Sequence, residues 1–186
     1  MALNEKERVL LVELLSKIES TEIKGDIWHE LVKKFVTVSI ELCVIDDKNR
    51  ILLIRRLAND RELKGRPYHI PGTVLNDWET VEEARKRLIE TEIVTVGMLG
   101  VTKPKSIGWF EISKKQTYFT TRHAVALLHV AYFHGEYSNT EEVGFFYIDS
   151  IPDNTVEVHK SLIDIFKNYL KDSYPVFSNI EIDTII

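Results

Sequence analysis

At 186 residues, 44% of them hydrophobic, the chain is long enough for one globular domain with a real core and an attached element. A net charge of −5, with Lys and Arg scattered along the chain, argues against a sequence-independent nucleic-acid binder, which concentrates basic residues on one face. No apolar run approaches the roughly 18 residues of a membrane span. The opening MALNEKERVLLVELLSKIES has neither a basic n-region nor a small-residue cleavage site, so no secretory signal is expected. The single cysteine, Cys43, sits in an apolar run that predicts a buried, inert thiol. A soluble cytoplasmic protein is the expectation, with no nucleic-acid or membrane partner.

In chain order, Val9, Leu10, Val12, Leu14, Leu15 and Ile18 follow a helical period across residues 4–19, and a second short helix is predicted at 24–34. Residues 1–34 are therefore expected to form a helical extension packed on a domain of residues 35–186. VTVSIELCVI reads as a strand from its β-branched content, DDKNR as a turn and ILLIRR as the returning strand of a hairpin. After the polar loop RLANDRELKGRP, YHI leads into the Pro71-Gly72 turn. A helix is predicted over 79–92, with Asp77 or Asn76 as cap, then a strand near 94–101 and a polar excursion. TYFTTRHAVALLHVAYF is long enough to span a sheet, VGFFYID adds a strand, and 156–170 reads as a closing helix. The apolar tail SYPVFSNIEIDTII is suited to an edge strand or a partner surface. Helices grouped around a mixed sheet predict an α+β fold instead of a regular βαβ series.

Chemistry-bearing residues concentrate in IPGTVLNDWETVEEARKRLIETEI, residues 70–93. Val81, Ala84 and Leu88 lie at i, i+3 and i+7, an apolar stripe for the core. Glu92 continues towards that stripe, and a carboxylate there needs a cation, an Arg or a proton. Glu82, Glu83 and Glu90 with Arg85 and Lys86 read as a solvated, paired face. The fork of Arg87 suits orienting a loop or carboxylate, contacting phosphate, or a plain helix ion pair. Glu79 suits loop fixing or support of a ligand.

Among the histidines, His123 and His129 share one face of a strand with Val125 and Leu127, so at least one is expected inside and hydrogen-bonded. His123, at the strand start, is the best histidine for substrate contact, and His159 begins the closing helix near the same mouth. His29, His69 and His134 have no pattern beyond packing. Trp109, Phe110, Tyr118 and Phe119 flank a loop and suit either packing or stacking on a base. No Cys/His metal spacing, Gly-x-Ser-x-Gly elbow or phosphate-loop motif occurs.

The run of strand, Pro-Gly turn, helix and strand resembles the Nudix hydrolases. Their box asks for Gly, five residues, Glu, seven residues, then Arg-Glu-apolar-any-Glu-Glu-any-Gly. With Thr73 at the first Gly, Glu79, Arg87, Ile89 and Glu92 fall into register, while Leu88, Thr91 and Val94 replace Glu, Glu and Gly. The degenerate pattern is most similar to GDP-mannose mannosyl hydrolases, which also carry Arg-Leu and keep only the last carboxylate. In that alignment Glu41 stands at an Asp, Arg56 at a substrate-contacting Arg, and His123 at a Tyr of the Phe-Thr-Thr strand. Thr140 stands where that group has a general-base His, and Val74 where it has an Arg. The resemblance spans residues 26 to about 170 and implies an α/β/α sandwich around a Nudix-like mixed sheet.

The resemblance implies a hydrolase, dependent on Mg²⁺ or Mn²⁺, of a nucleoside diphosphate linked to another moiety such as a sugar. Glu92, the carbonyl of Gly72 and Glu142 or Glu141 are its expected metal ligands, since Mg²⁺ takes one or two carboxylates and fills its shell with water and phosphate oxygens. Glu142 or Glu141 is also the expected base. Arg56 and Arg87 are expected to steady the diphosphate, and Glu41 and His123 to contact the substrate. The alternative is a Nudix-like binding or regulatory module without turnover, because Thr73 and Val94 limit backbone approach to an anion. A third reading joins two chains as a homodimer through the N-terminal helices and apolar tail, one chain completing the other's site.

Overall fold

The structure, a computed structural model, describes residues 3–17, 27, 30–31, 34–55, 66–112 and 123–173. Most of the expected second helix, together with Arg56, His29, Tyr118, Phe119 and the apolar tail, lies outside the described residues.

Helix α1 (Glu5–Leu15) starts at a reciprocal cap, in which the Asn4 side chain accepts from the Glu7 N–H and the Glu7 carboxylate accepts from the Asn4 N–H. All of its residues are exposed, including Val9 and Val12. The hairpin of β1 (Val36–Asp46) and β2 (Arg50–Arg55) forms as expected around the Asp-Asp-Lys-Asn turn. Asp46 fixes that turn, accepting from the Lys48 and Arg50 N–H groups at 3.0 and 2.8 Å. Then come β3 (Tyr68–His69), β4 (Gly72–Val74) and α2 (Val81–Leu88). Beyond β5 (Lys105–Ile112), β6 (His123–Phe133) and β7 (Val143–Tyr147), α3 (Glu157–Ser173) closes the described fold.

The seven strands form one mixed sheet in the order β3-β2-β1-β6-β5, with β4 added on β1 and β7 on β2. β1 and β6 run parallel without interruption from Val36↔His123 to Asp46↔Phe133, and the other ladders are antiparallel. Strand alternation sorts β1 between two cores. Ile40, Leu42 and Val44 pack with Ala84, Leu88 and Ile93 on the α2 side. Cys43 and Ile45 pack with Leu162, Ile163 and Phe166 on the α3 side. This is the α+β sandwich that the sequence predicts. Burial drives the Cys43 thiol far above its ordinary range, as an inert core residue requires.

Three local expectations are corrected. The helix cap is Thr80, not Asp77 or Asn76, because Thr80 and Glu83 satisfy each other's backbone N–H groups. The strand expected near 94–101 is a 3₁₀ turn (Val94–Val96) ending at Gly97, φ 81°, followed by a single bridge from Val101 to Phe133. The polar excursion after it contains β5, an edge strand whose outward residues meet water, which leaves no apolar alternation to read. No helix among the described residues is long and apolar enough to cross a membrane.

Candidate active site

The expected helix over 79–92 is two different objects. Val81 to Leu88 is α-helical, and Ala84 and Leu88 are fully buried in the stripe read from the sequence. From Ile89 to Ile93 the backbone widens into a π turn. Such a turn holds one extra residue and re-aims the side chains beyond it, a device common at functional sites. Thr91 donates its hydroxyl to the Arg87 carbonyl at 2.8 Å, and Thr95 donates to the Thr91 carbonyl at 2.6 Å, side chains competing for the backbone acceptors of a regular helix. Ile89 and Ile93 stay buried while Glu92 is half-buried at the sheet edge, where its Oε2 accepts from the Gly72 N–H at 3.1 Å.

Arg87 locks the other side of the turn. It grips Glu79 with two parallel bonds of 2.7 Å from Nε and Nη2, donates to the Thr73 hydroxyl at 2.7 Å and to the Val74 carbonyl at 2.9 Å. Glu79 also accepts from the Asn76 N–H at 2.9 Å, so strand, loop and helix close on one guanidinium. The bonds from Arg87 hold the Glu79 carboxyl below its usual range, and Glu79 in turn raises Arg87. Of the roles weighed for Arg87, this geometry serves orientation of the loop. Thr73 supplies one of its acceptors.

Gly72 is the meeting point. β4 pairs with β1 at Glu41↔Gly72, and the Pro71 carbonyl accepts from the Leu42 N–H at 2.9 Å. A Cβ on Gly72 would sit 2.4 Å from Oε2 of Glu41 and 3.1 Å from the Ile40 carbonyl, so a larger residue here would displace the Glu41 carboxylate. Two carboxylates therefore flank one residue: Glu92 bonded to its N–H, and buried Glu41 against its α-carbon. Their hard oxygens suit Mg²⁺ or Mn²⁺ of the kind that takes one or two carboxylates and keeps waters. Among the described residues no group of three His, Cys, Asp or Glu side chains is placed as a fuller cage.

The structure distributes the remaining expected residues elsewhere. Glu141 and Glu142 precede β7 at the end of β2, where Arg55 donates to the Glu141 carboxylate at 3.5 Å and Arg66 pairs with Glu142. The Tyr68 hydroxyl donates to the Glu141 carbonyl at 3.2 Å, and Arg55 lies 5.0 Å over the Tyr68 ring. Thr140 shapes this corner, its hydroxyl accepting from the Val143 N–H at 3.0 Å. His123 pairs with Glu111 of β5 at 2.8 Å. It faces the α2 side of the sheet and lies five residues, about 16 Å, from Leu128, the strand neighbour of Glu41. His129 is the interior histidine expected on this strand, its Nδ1–H donating to the Leu127 carbonyl at 3.1 Å. Burial is the main cause that lowers its pKa.

Packing places His159 beside Glu41 and His69 beside His159, an arrangement for which the sequence has no spacing signal. His159 Nδ1 is 4.0 Å from Glu41 Oε2, and the His69 and His159 rings meet edge-on at 5.8 Å.

This architecture defines a class. The chain is similar over 75% of its length, and 96% of the other, to a MutT protein from Methanosarcina mazei (TM-score 0.53, 16% identity). It is similar over 70% of its length, and 98% of the other, to a MutT NUDIX hydrolase from Burkholderia pseudomallei (TM-score 0.52, 23% identity). The NUDIX domain of Shewanella oneidensis NrtR, solved with ADP-ribose, is matched over 90% of this chain and 99% of that one (TM-score 0.54, 13% identity). No protein-family model and no curated protein matches the chain. The fold is that of these NUDIX proteins.

Proposed function

We propose that the chain is a Nudix-type hydrolase of a nucleoside diphosphate linked to another moiety, a nucleotide sugar in the first instance. The observation that carries this reading is the convergence of Glu41 and Glu92 on Gly72, in a loop that Arg87 clamps. Two carboxylates held at one residue favour a cation, which an anionic diphosphate would then share. Glu92 and the Gly72 carbonyl would hold Mg²⁺ or Mn²⁺, which when bound supplies positive charge for the phosphate oxygens and the leaving group. Glu142 and Glu141 are the proposed acceptors of a proton from the attacking water, and Arg56 the proposed contact to the diphosphate. Support for the ligand class comes from the NrtR domain, whose ADP-ribose is a nucleoside diphosphate joined to a sugar.

One observation favours a second reading, a binding or regulatory module without turnover: among the described residues no three-ligand group exists for a metal. One experiment separates the two. Nucleotide sugars, ADP-ribose, dinucleoside polyphosphates and nucleoside triphosphates are incubated with Mg²⁺ or Mn²⁺ in ¹⁸O-labelled water, with wild type beside Glu92→Gln. Metal-dependent cleavage lost in Glu92→Gln is the expected result, and label in phosphate or in sugar identifies the atom attacked. Tight binding of ADP-ribose without turnover establishes the module instead.

A further inference from the structure

The α3 end of the site contains a buried group of polar side chains that the loop-helix-loop does not use. Strand alternation sends Glu41 to the α3 face of β1, the face of Cys43 and Ile45. There it is 8% exposed, beside His159 at 7% and His69 at 5%. Residues this polar are buried only where neighbours compensate them. Their arrangement is built by the backbone. Val156 N–H donates to the Tyr68 carbonyl at 2.8 Å, Tyr68 N–H donates to the Asn154 carbonyl at 3.2 Å, and Tyr68 bridges Thr155. These contacts pin the first turn of α3 to β3 and set His159 next to His69. The Nδ1–H of His69 donates to the Ile70 carbonyl at 2.8 Å, fixing the ring that lies edge-on against His159.

His159 therefore has a defined wall on one side and Glu41 on the other. Its Nδ1 stands 4.0 Å from Glu41 Oε2, an electrostatic contact longer than a direct hydrogen bond. The same Oε2 closes the space over the Gly72 α-carbon. We propose that His159 is a positioning residue: acting through the Glu41 carboxylate, it holds the Gly72 turn in the orientation that faces Glu92. His69 supports it by limiting the ring's rotation. Without His159 the Glu41 carboxylate loses its neighbour at 4.0 Å and shifts over Gly72, at the Glu41↔Gly72 pair of β1 and β4, a position that Arg87, bonded at Thr73 and Val74, does not reach. This inference rests on the proposed site, but its decisive readout does not require turnover.

The test monitors the Gly72 amide by ¹H–¹⁵N NMR in His159→Leu, Glu41→Gln, the double variant and His159→Asn, whose amide nitrogen replaces Nδ1. We expect His159→Leu to move the Gly72 resonance in the direction that Glu41→Gln does, the double variant to move it no further, and His159→Asn to leave it near the wild-type position. If His159→Leu does not fold, His159→Gln takes its place, since its amide reaches the Nε2 position and not Nδ1. An unmoved Gly72 resonance, or shifts that add in the double variant, overturns the proposal. Where wild type cleaves a nucleotide sugar, kcat should fall about 10-fold in His159→Leu with KM little changed, and recover in His159→Asn. A loss expressed only in KM also overturns it. If wild type cleaves nothing, the function proposed above fails while the amide cycle still decides the role of His159.

Discussion

The two halves of the loop-helix-loop have parted ways. In the first half, Glu79, Thr73 and Arg87 are bonded to one another at 2.7 Å and keep the scaffold closed. In the second, Leu88 is in the core, Thr91 is bonded to backbone, and Glu92 turns its carboxylate to the Gly72 N–H. The comparison teaches that holding the turn and presenting carboxylates to it are separable tasks. A guanidinium clamp needs fixed partners within hydrogen-bond reach, whereas a hard cation accepts oxygens from any source, water and substrate included.

The strongest test of that separation is Leu88→Glu, which adds a carboxylate to the second half. Because Leu88 is fully buried among Ile40, Leu42 and Ile93, the new carboxylate should cost more than Leu88→Ala, itself about 2–5 kcal/mol. Urea unfolding measures both. A stable Leu88→Glu protein with gained Mn²⁺ affinity would show that the second half can present a further carboxylate without loss of the core.

Arg87→Lys probes the other half. A point charge cannot reproduce the two-pronged grip on Glu79 and the bonds to Thr73 and Val74, so a loss of about 1–3 kcal/mol is expected, towards the lower end because the clamp is only partly buried. Unchanged stability would mean that the clamp does not hold the loop.

The smallest effects are pH slopes. Glu79 titrates lower in the folded state, so its contribution is complete above the ordinary carboxylate pKa of about 4.3 and is lost as pH falls through its depressed value. Glu79→Gln should flatten that acid limb. His129 is also depressed, by burial first, so the unfolded chain binds the extra proton more readily and stability declines as pH falls below about 6.5. His129→Gln should remove that part of the slope in unfolding curves recorded from pH 7.5 to 5.5, and an unchanged slope would place the cause elsewhere.

Much of this was legible in the chain. The hairpin, the long strand at His123–Phe133, the closing helix and the stripe through Ala84 and Leu88 follow from periodicity and turn residues, because each is a local pattern of burial. The π turn was hidden, since Ile89 and Ile93 fit an α-helical period nearly as well. β5 was hidden because its outward residues meet solvent, and the Thr80 cap because Asn76 and Asp77 are equally good cap residues.

By itself, then, the sequence determined the hairpin, the long strand, the closing helix and the apolar stripe through Ala84 and Leu88, all of which depend on spacing along the backbone. Only the tertiary structure decided which carboxylates share a residue. Glu41, Gly72, Glu92 and His159 come from β1, β4, the π turn and α3, and the sheet pairing and helix docking that join them leave no fixed interval in the chain. Tertiary packing likewise set Glu141 and Glu142 beside Arg55 and Arg66, since charge pairing across β2 and β7 depends on distance in space.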